Sequence, residues 1–488
     1  MCYPMRTVLC LTVVLFSIAP VSLRGAETSL RDRAAEGLRR AVAFFVDEVA
    51  VEGGYVWRYS EDLSTREGEG RASPTTVWVQ PPGTPTVGMA MLRAYEATGE
   101  TCYLDAAHRA GECLARGQLR SGGWTYRIEF DPTARRRYAY RLDEPSDRPS
   151  ARNTSTLDDD TTQAALRLLV RLDRALGFGD AVIHDAAELG LSALLSAQYP
   201  NGAWPQRFER PPDREKFPVK KAEYPDDWPR AFPGKGYGHC YTLNDNAIAD
   251  AIDVLFEAGR VYGDERYMKA ARRGGDFLLL AQMPDPQPAW AQQYDAAMHP
   301  VWARKFEPPA VTGGESQGAM RALLNVYRQT GDRKYLEPIP RALEYLRRSK
   351  LPDGRLARFY ELRTNRPLYF TRDYELTYAD DDLPTHYAFK VGSGLAAIEQ
   401  EYERLLAADP AELPPASSSK PEKPGKPSPA LTARVEEVLA ALDDRGRWVE
   451  EGRLKYHGAG DPTRRIIDCR TFCRNVEMLS GYLEHFTP

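Results

Sequence analysis

A helix-length amphipathic stretch that ends in Gly plus an acidic residue, and is answered at once by a second such stretch, occurs four times in this chain. The turns are Gly99-Glu100, Gly179-Asp180, Gly263-Asp264 and Gly331-Asp332, spaced by 80, 84 and 68 residues. Apolar residues recur at three and four positions in residues 87–98, 164–176, 247–262 and 318–330 before the turns, and in 103–114, 182–197, 267–281 and 335–347 after them. That is the period of a helix with one buried face. Glycine supplies the left-handed cap of the first helix, and the acid opens the second where the helix dipole favours negative charge. Each unit is an αα-hairpin that cannot bury its apolar face alone, so the copies must stack.

The second helix of each hairpin runs into a short segment with its own register: Trp124-Thr125-Tyr126, Trp204-Pro205-Gln206, Trp290-Ala291-Gln292 and Leu356-Ala357-Arg358. Tyr55-Val56-Trp57 reads as an earlier copy and Trp448 as a later one, which extends the count from four hairpins to six. The connections 127–155, 208–239 and 359–384 follow the same point of the repeat, so they gather on one rim, and connections this long are usually functional. The expected fold is all-α: an α,α-toroid, an incomplete barrel of repeated αα-hairpins with long loops on one rim.

Residues 1–26 carry Arg6, an apolar run over 8–19 and small residues, the layout of a secretory signal peptide too short to span a membrane. The chain then divides into a toroid catalytic domain (27–410), a Pro/Lys/Ser linker (411–430) and a C-terminal helical segment (431–488) expected to dock on the toroid. A secreted or periplasmic monomer with no membrane span is the expectation. Lys and Arg total 65 against 69 Asp and Glu, with a net charge of −4, so nucleic acid is not a partner and any polyanion must be held by a local cluster. Seven cysteines, two of them in the leader, form no CxxC pair and read as small buried hydrophobes. No zinc, nucleotide or serine-hydrolase signature is present in the sequence.

Two helix starts are near-copies, Thr156-Leu157-Asp158-Asp159-Asp160 and Thr242-Leu243-Asn244-Asp245-Asn246. Either alone is accounted for by helix capping. On one rim they offer more oxygen than caps need, a donor set suited to Ca²⁺ with an acidic substrate completing its shell. Arg358 sits where other repeats place Gln206 and Gln292, on segments expected to line the cleft, and a cleft arginine beside aromatics grips anions. Arg366 lies near by in sequence, and Arg304, ahead of the Thr312–Ser316 helix start, is expected to join the same surface. The repeated tryptophans, Trp204 among them, are candidates for sugar stacking, although tryptophans in register more often pack hairpins together.

Taken in order, these residues resemble a family-10 polysaccharide lyase, the pectate or pectic acid lyases. The likeness runs from Thr154 to Asp373. It is carried by residues 157–163, Gln198-Tyr199-Pro200-Asn201-Gly202-Ala203-Trp204-Pro205-Gln206, the Thr242–Ala247 helix start, Ala303-Arg304-Lys305-Phe306-Glu307, Gly313-Gly314-Glu315-Ser316, and Ala357-Arg358-Phe359-Tyr360-Glu361 through Arg366-Pro367 to Arg372-Asp373. The resemblance implies Ca²⁺-assisted β-elimination on a polygalacturonate-like acidic polysaccharide. Arg358 would be the base and Arg304 and Arg372 the carboxylate grips, with Arg366, Trp204 and Gln206 as further substrate contacts. Asp160 and Asp245 would hold calcium, with Asp158 and Asp159 as near equivalents. The chain departs from the family pattern in its shortened Asp158-Asp159-Asp160-Thr161-Thr162 stretch, in Arg372-Asp373-Tyr374, and in residues 208–239, which read as an insertion. Two other readings stay open from the residues alone: a glycoside hydrolase using Asp159 and Asp245 as a carboxylate pair, and a non-catalytic protein binding acidic glycans.

Overall fold

Residues 29–144, 150–234, 236–409 and 425–486 are described by the computed structural model. Residues 1–26, expected to be a signal peptide, and residues 411–424 of the expected linker lie outside them.

The helices are α1 (Leu30–Phe44), α2 (Thr84–Thr98), α3 (Thr101–Arg116), the single turn α4 (Pro132–Arg135), α5 (Thr161–Ala175), α6 (Ala181–Ala197), α7 (Ala247–Tyr262), α8 (Glu265–Ala281), α9 (Gly313–Thr330), α10 (Ile339–Arg348), α11 (Leu395–Ala407), α12 (Pro429–Ala440) and α13 (Cys469–Glu484). Gly99, Gly263 and Gly331 take the left-handed conformation at the hairpin turns. In the second hairpin that conformation falls on Gly177 and Phe178 rather than Gly179. The acids that follow cap the next element: Asp180 accepts from the backbone N–H of Val182 and Ile183, Asp264 from Arg266 and Asp332 from Lys334.

Helices pack in the order α13, α2, α5, α7, α9, α11, each against the next, and α3, α6, α8 and α10 back them as the second members of the hairpins, with α1 and α12 against α13. The architecture is the expected α,α-toroid. Its core includes Trp124, Trp204 and Trp290, all at 0% exposure. Each indole N–H donates to a carbonyl at the end of the preceding outer helix, Leu114, Leu194 and Leu278, at 2.8 Å in all three cases. Trp448 repeats the bond to Val438 at 2.9 Å. Trp204 is therefore a packing residue with no face for a sugar ring, which corrects its assignment as a substrate contact. Cys113, Cys240, Cys469 and Cys473 are buried as expected, whereas Cys102, in the first turn of α3, is exposed.

Short antiparallel strand pairs knit the rim: 76–78 with 127–129, 155–156 with 207–208, 241–242 with 293–294 and 310–312 with 359–361. Through them the entry to each inner helix is tied to the register segment at the end of its own hairpin. Leu157 N–H donates to Gln206 O (2.8 Å), Leu243 to Gln292 O (2.9 Å) and Gly313 to Arg358 O (3.1 Å). The third residue of every segment is thus held at the mouth of the ring.

Close approach of segment and outer helix requires glycine. At Gly202, φ is +94° and a Cβ would lie 2.0 Å from the carbonyl oxygen of Arg273. Gly202→Ala is expected to cost about 3 kcal/mol or more, through backbone strain plus the clash. Thermal unfolding beside Gly354→Ala, where φ is +81° and the space is open, separates the two terms. Equal losses would remove the close-approach argument.

Candidate active site

The two acidic helix starts form the same unusual turn. Asp159 (φ 49°) and Asp160 (φ 56°) before α5, and Asp245 (φ 50°) and Asn246 (φ 58°) before α7, occupy the left-handed region one after the other. Such conformations cost of order 1–3 kcal/mol per residue and concentrate at functional sites. The twin turns touch, and they bring one carboxylate oxygen each from Asp158, Asp159 and Asp245 within 4.8 Å of one another. Asp160 does not join them. The left-handed step turns it towards α5, where Arg167 holds it at 3.1 Å, so its expected calcium role is corrected.

Register residues orient the acids. Asp158 accepts from the Gln206 amide at 2.9 Å and from the Tyr126 hydroxyl at 2.6 Å. Gln206 is 1% exposed, so it positions Asp158 from below rather than lining an open subsite. Asp159 accepts from Gln80 Nε2 at 2.8 Å, and Gln80 also donates to Glu69. Burial, Asp158 and Glu69 push Asp159 up to about 6. Burial and the neighbouring Asp159 and Asp158 raise Asp245 as well. Three acids in this mutual repulsion are a site that a hard cation would relieve, and oxygen-only donors suit Ca²⁺.

Arginines face the acids. Arg304 forks onto the buried Glu307, with Nε 2.8 Å from Oε2 and Nη2 2.5 Å from Oε1. Gln292 Nε2 and the Tyr387 hydroxyl also donate to Glu307, at 2.8 and 2.9 Å. Burial works against the Glu307 charge, but these donors hold its carboxyl below the usual range. Arg358 donates from Nε to Ala388 O (2.7 Å) and from Nη1 to the Tyr387 oxygen (3.3 Å), and lies 3.5 Å from Glu315. Burial works against its charge too, but Glu315, Tyr387 and Asp245 outweigh it and keep the guanidinium protonated. Arg304 in turn acts on both Asp159 and Asp245, which makes acids and arginines one electrostatic unit.

Arg366 and Arg372 are not in that unit. Arg366 stacks 3.4 Å above the Tyr378 ring beside Glu361, and Arg372, 69% exposed, pairs with Asp382 at 3.3 Å. They flank 367–370, which with 376–377 makes the far side of the four-stranded sheet that begins with 310–312 and 359–361.

Residues 133–325 match the family model described as pectic acid lyase. The resemblance read from the sequence is borne out. The matched segment holds Asp158, Asp159, Asp245, Arg304, Glu307 and Glu315, while Gln80, Arg358 and Tyr387 lie outside it. No curated protein matches the chain. Among solved structures, the family 10 polysaccharide lyase from Cellvibrio cellulosa aligns at 20% identity over 66% of this chain and 97% of its own, with a TM-score of 0.44. A mutant of that enzyme in complex with trigalacturonic acid aligns equally, over 98% of its length. A D-mannose isomerase aligns at 14% identity over 92% of this chain and 96% of its own, with a TM-score of 0.45.

Glu307, Glu315, Tyr387 and Gln80 were not singled out as site residues by sequence reasoning. Glu307 and Glu315 stood inside motifs that carry the resemblance, and Gln80 is a polar residue just before an inner helix; Tyr387 carried no signal. Among the described residues no helix is long and apolar enough to cross a membrane.

Proposed function

We propose that this protein is an exported, monomeric lyase that cleaves polygalacturonate-type polymers by β-elimination, with Arg358 as proton acceptor. The observation that carries the reading is the convergence of Asp158, Asp159 and Asp245 opposite Arg304 and Arg358 in a single cleft mouth. The three acids fit calcium, which when bound supplies positive charge to the uronate carboxylate. Arg304, with two of its nitrogens fixed on Glu307, keeps Nη1 for a second carboxylate contact. Arg358, once neutral, takes the C5 proton, the C4–O bond breaks with its electron pair leaving on oxygen, which takes a proton from water, and a 4,5-unsaturated sugar is left. Its charged resting state is the barrier to that role. Asp245 is one of three groups holding its proton, so neutralising the acid cluster weakens the hold.

The hydrolase reading needs two carboxyls about 5–5.5 Å or about 6.5–9.5 Å apart, with the scissile bond between them. Oxygens of Asp159 and Asp245 lying within 4.8 Å of each other and of Asp158 leave a cation's space rather than a sugar's. Incubation with polygalacturonate at alkaline pH, with Ca²⁺ and then with chelator, is the test. The expected result is growth of the ultraviolet absorbance of the unsaturated product, arrested by chelator. A flat trace on this and on other uronic-acid polymers, with reducing ends released all the same, would return the site to a hydrolase.

A further inference from the structure

We propose that Tyr387 is a positioning residue that ties the two cleft arginines into one unit, so that the proton-accepting group and the carboxylate-holding group keep a set spacing. The inference rests on the function proposed above for that site. Tyr387 lies in the loop before α11, outside the matched segment, and its ring serves both guanidinium groups. The centroid is 4.6 Å from Cζ of Arg358 and 5.4 Å from Cζ of Arg304. Its hydroxyl accepts from Arg358 Nη1 at 3.3 Å and donates to Glu307 Oε1 at 2.9 Å. That oxygen also accepts from Arg304. The path Arg358, Tyr387, Glu307, Arg304 is therefore continuous, one hydrogen bond per step.

The ring is itself fixed. Phe306 packs on it at 4.8 Å, Phe389 at 5.3 Å and Phe359 at 6.4 Å between centroids. The main chain that follows it supplies further contacts to Arg358, with Ala388 O accepting from Nε and Phe389 O from the Arg358 backbone N–H. Two like charges beside one aromatic ring repel each other, and long arginine side chains have many rotamers. A rigid ring attracts both cations, and its hydroxyl links one of them to the other's counter-ion. A displacement of about 1 Å in such a group costs about a hundredfold in rate.

Tyr387→Phe keeps the ring and deletes the link; Tyr387→Ala deletes both. With the full-length protein on polygalacturonate and Ca²⁺, Tyr387→Phe is expected to lower kcat about tenfold or more with KM and Tm near wild type, since only the spacing is loosened. Tyr387→Ala is expected to raise KM as well. Wild-type kcat in Tyr387→Phe overturns the proposal, as does a loss of activity that merely follows a loss of Tm. Crystal structures of wild type and Tyr387→Phe read the spacing independently of turnover. A guanidinium of Arg358 or Arg304 displaced by about 1 Å supports the tie even if the wild type cleaves no uronate polymer, and undisturbed arginines end it.

Discussion

Arg358→Ala is expected to lower formation of unsaturated product by about a thousandfold or more, because it removes both a proton acceptor and a cation facing the acid cluster. The side chain is held by the Glu315 carboxylate, the Ala388 carbonyl and the Tyr387 hydroxyl, none of which can take its place at the substrate. Unfolding temperature should barely move, since the guanidinium sits at the cleft wall rather than in the core. Arg358→Lys separates the two roles. Lysine keeps the charge but not the planar fork, so a lysine variant close to wild type would reduce Arg358 to an electrostatic partner and send the search for the base elsewhere in the cleft.

Asp245→Asn is expected to weaken Ca²⁺ binding by at least about tenfold, the effect of removing one of three charged oxygens from a hard-cation site. Titration calorimetry of the wild type, Asp245→Asn and Asp160→Asn makes the comparison. Asp160 is engaged with Arg167 and stands outside the cluster, so its variant should bind calcium as the wild type does. If Asp160→Asn loses calcium and Asp245→Asn retains it, the cluster seen in the structure is not the cation site.

The hairpins were legible because their turns demand glycine and their apolar period is that of a helix. The cleft register was legible for a related reason: polar residues such as Gln206, Gln292 and Arg358 stand in segments otherwise made of tryptophan, leucine, alanine and proline, and each of them reaches a cleft carboxylate. What stayed hidden depended on rotation and on contacts between distant segments. Three consecutive aspartates differ in role because two left-handed residues fan them apart, sending Asp158 and Asp159 to Asp245 and Asp160 to Arg167. Arg366 and Arg372 were expected to hold substrate beside Arg358, but they flank the strand 367–370, on the far side of the four-stranded sheet, and find Tyr378 and Asp382 instead. Trp204 carried the same ambiguity until the indole bond to Leu194 placed it in the core. Gln80 and Tyr387 arrive from opposite ends of the toroid, and nothing local to either sequence points to a partner so far away.

The ring joins α2 to α13, and the ion pair of Arg93 with Glu484 at that joint links residues 391 positions apart. A chain made from its N-terminus therefore exposes the flank of α2 until α13 has been made. The earlier hairpins can form in turn from local contacts, but the last seam waits for α13, and closing so long a loop is slow. During that interval the bare flank is a surface on which unfinished chains can stick to one another, so the yield of native protein should depend on how quickly the final helix is delivered to it.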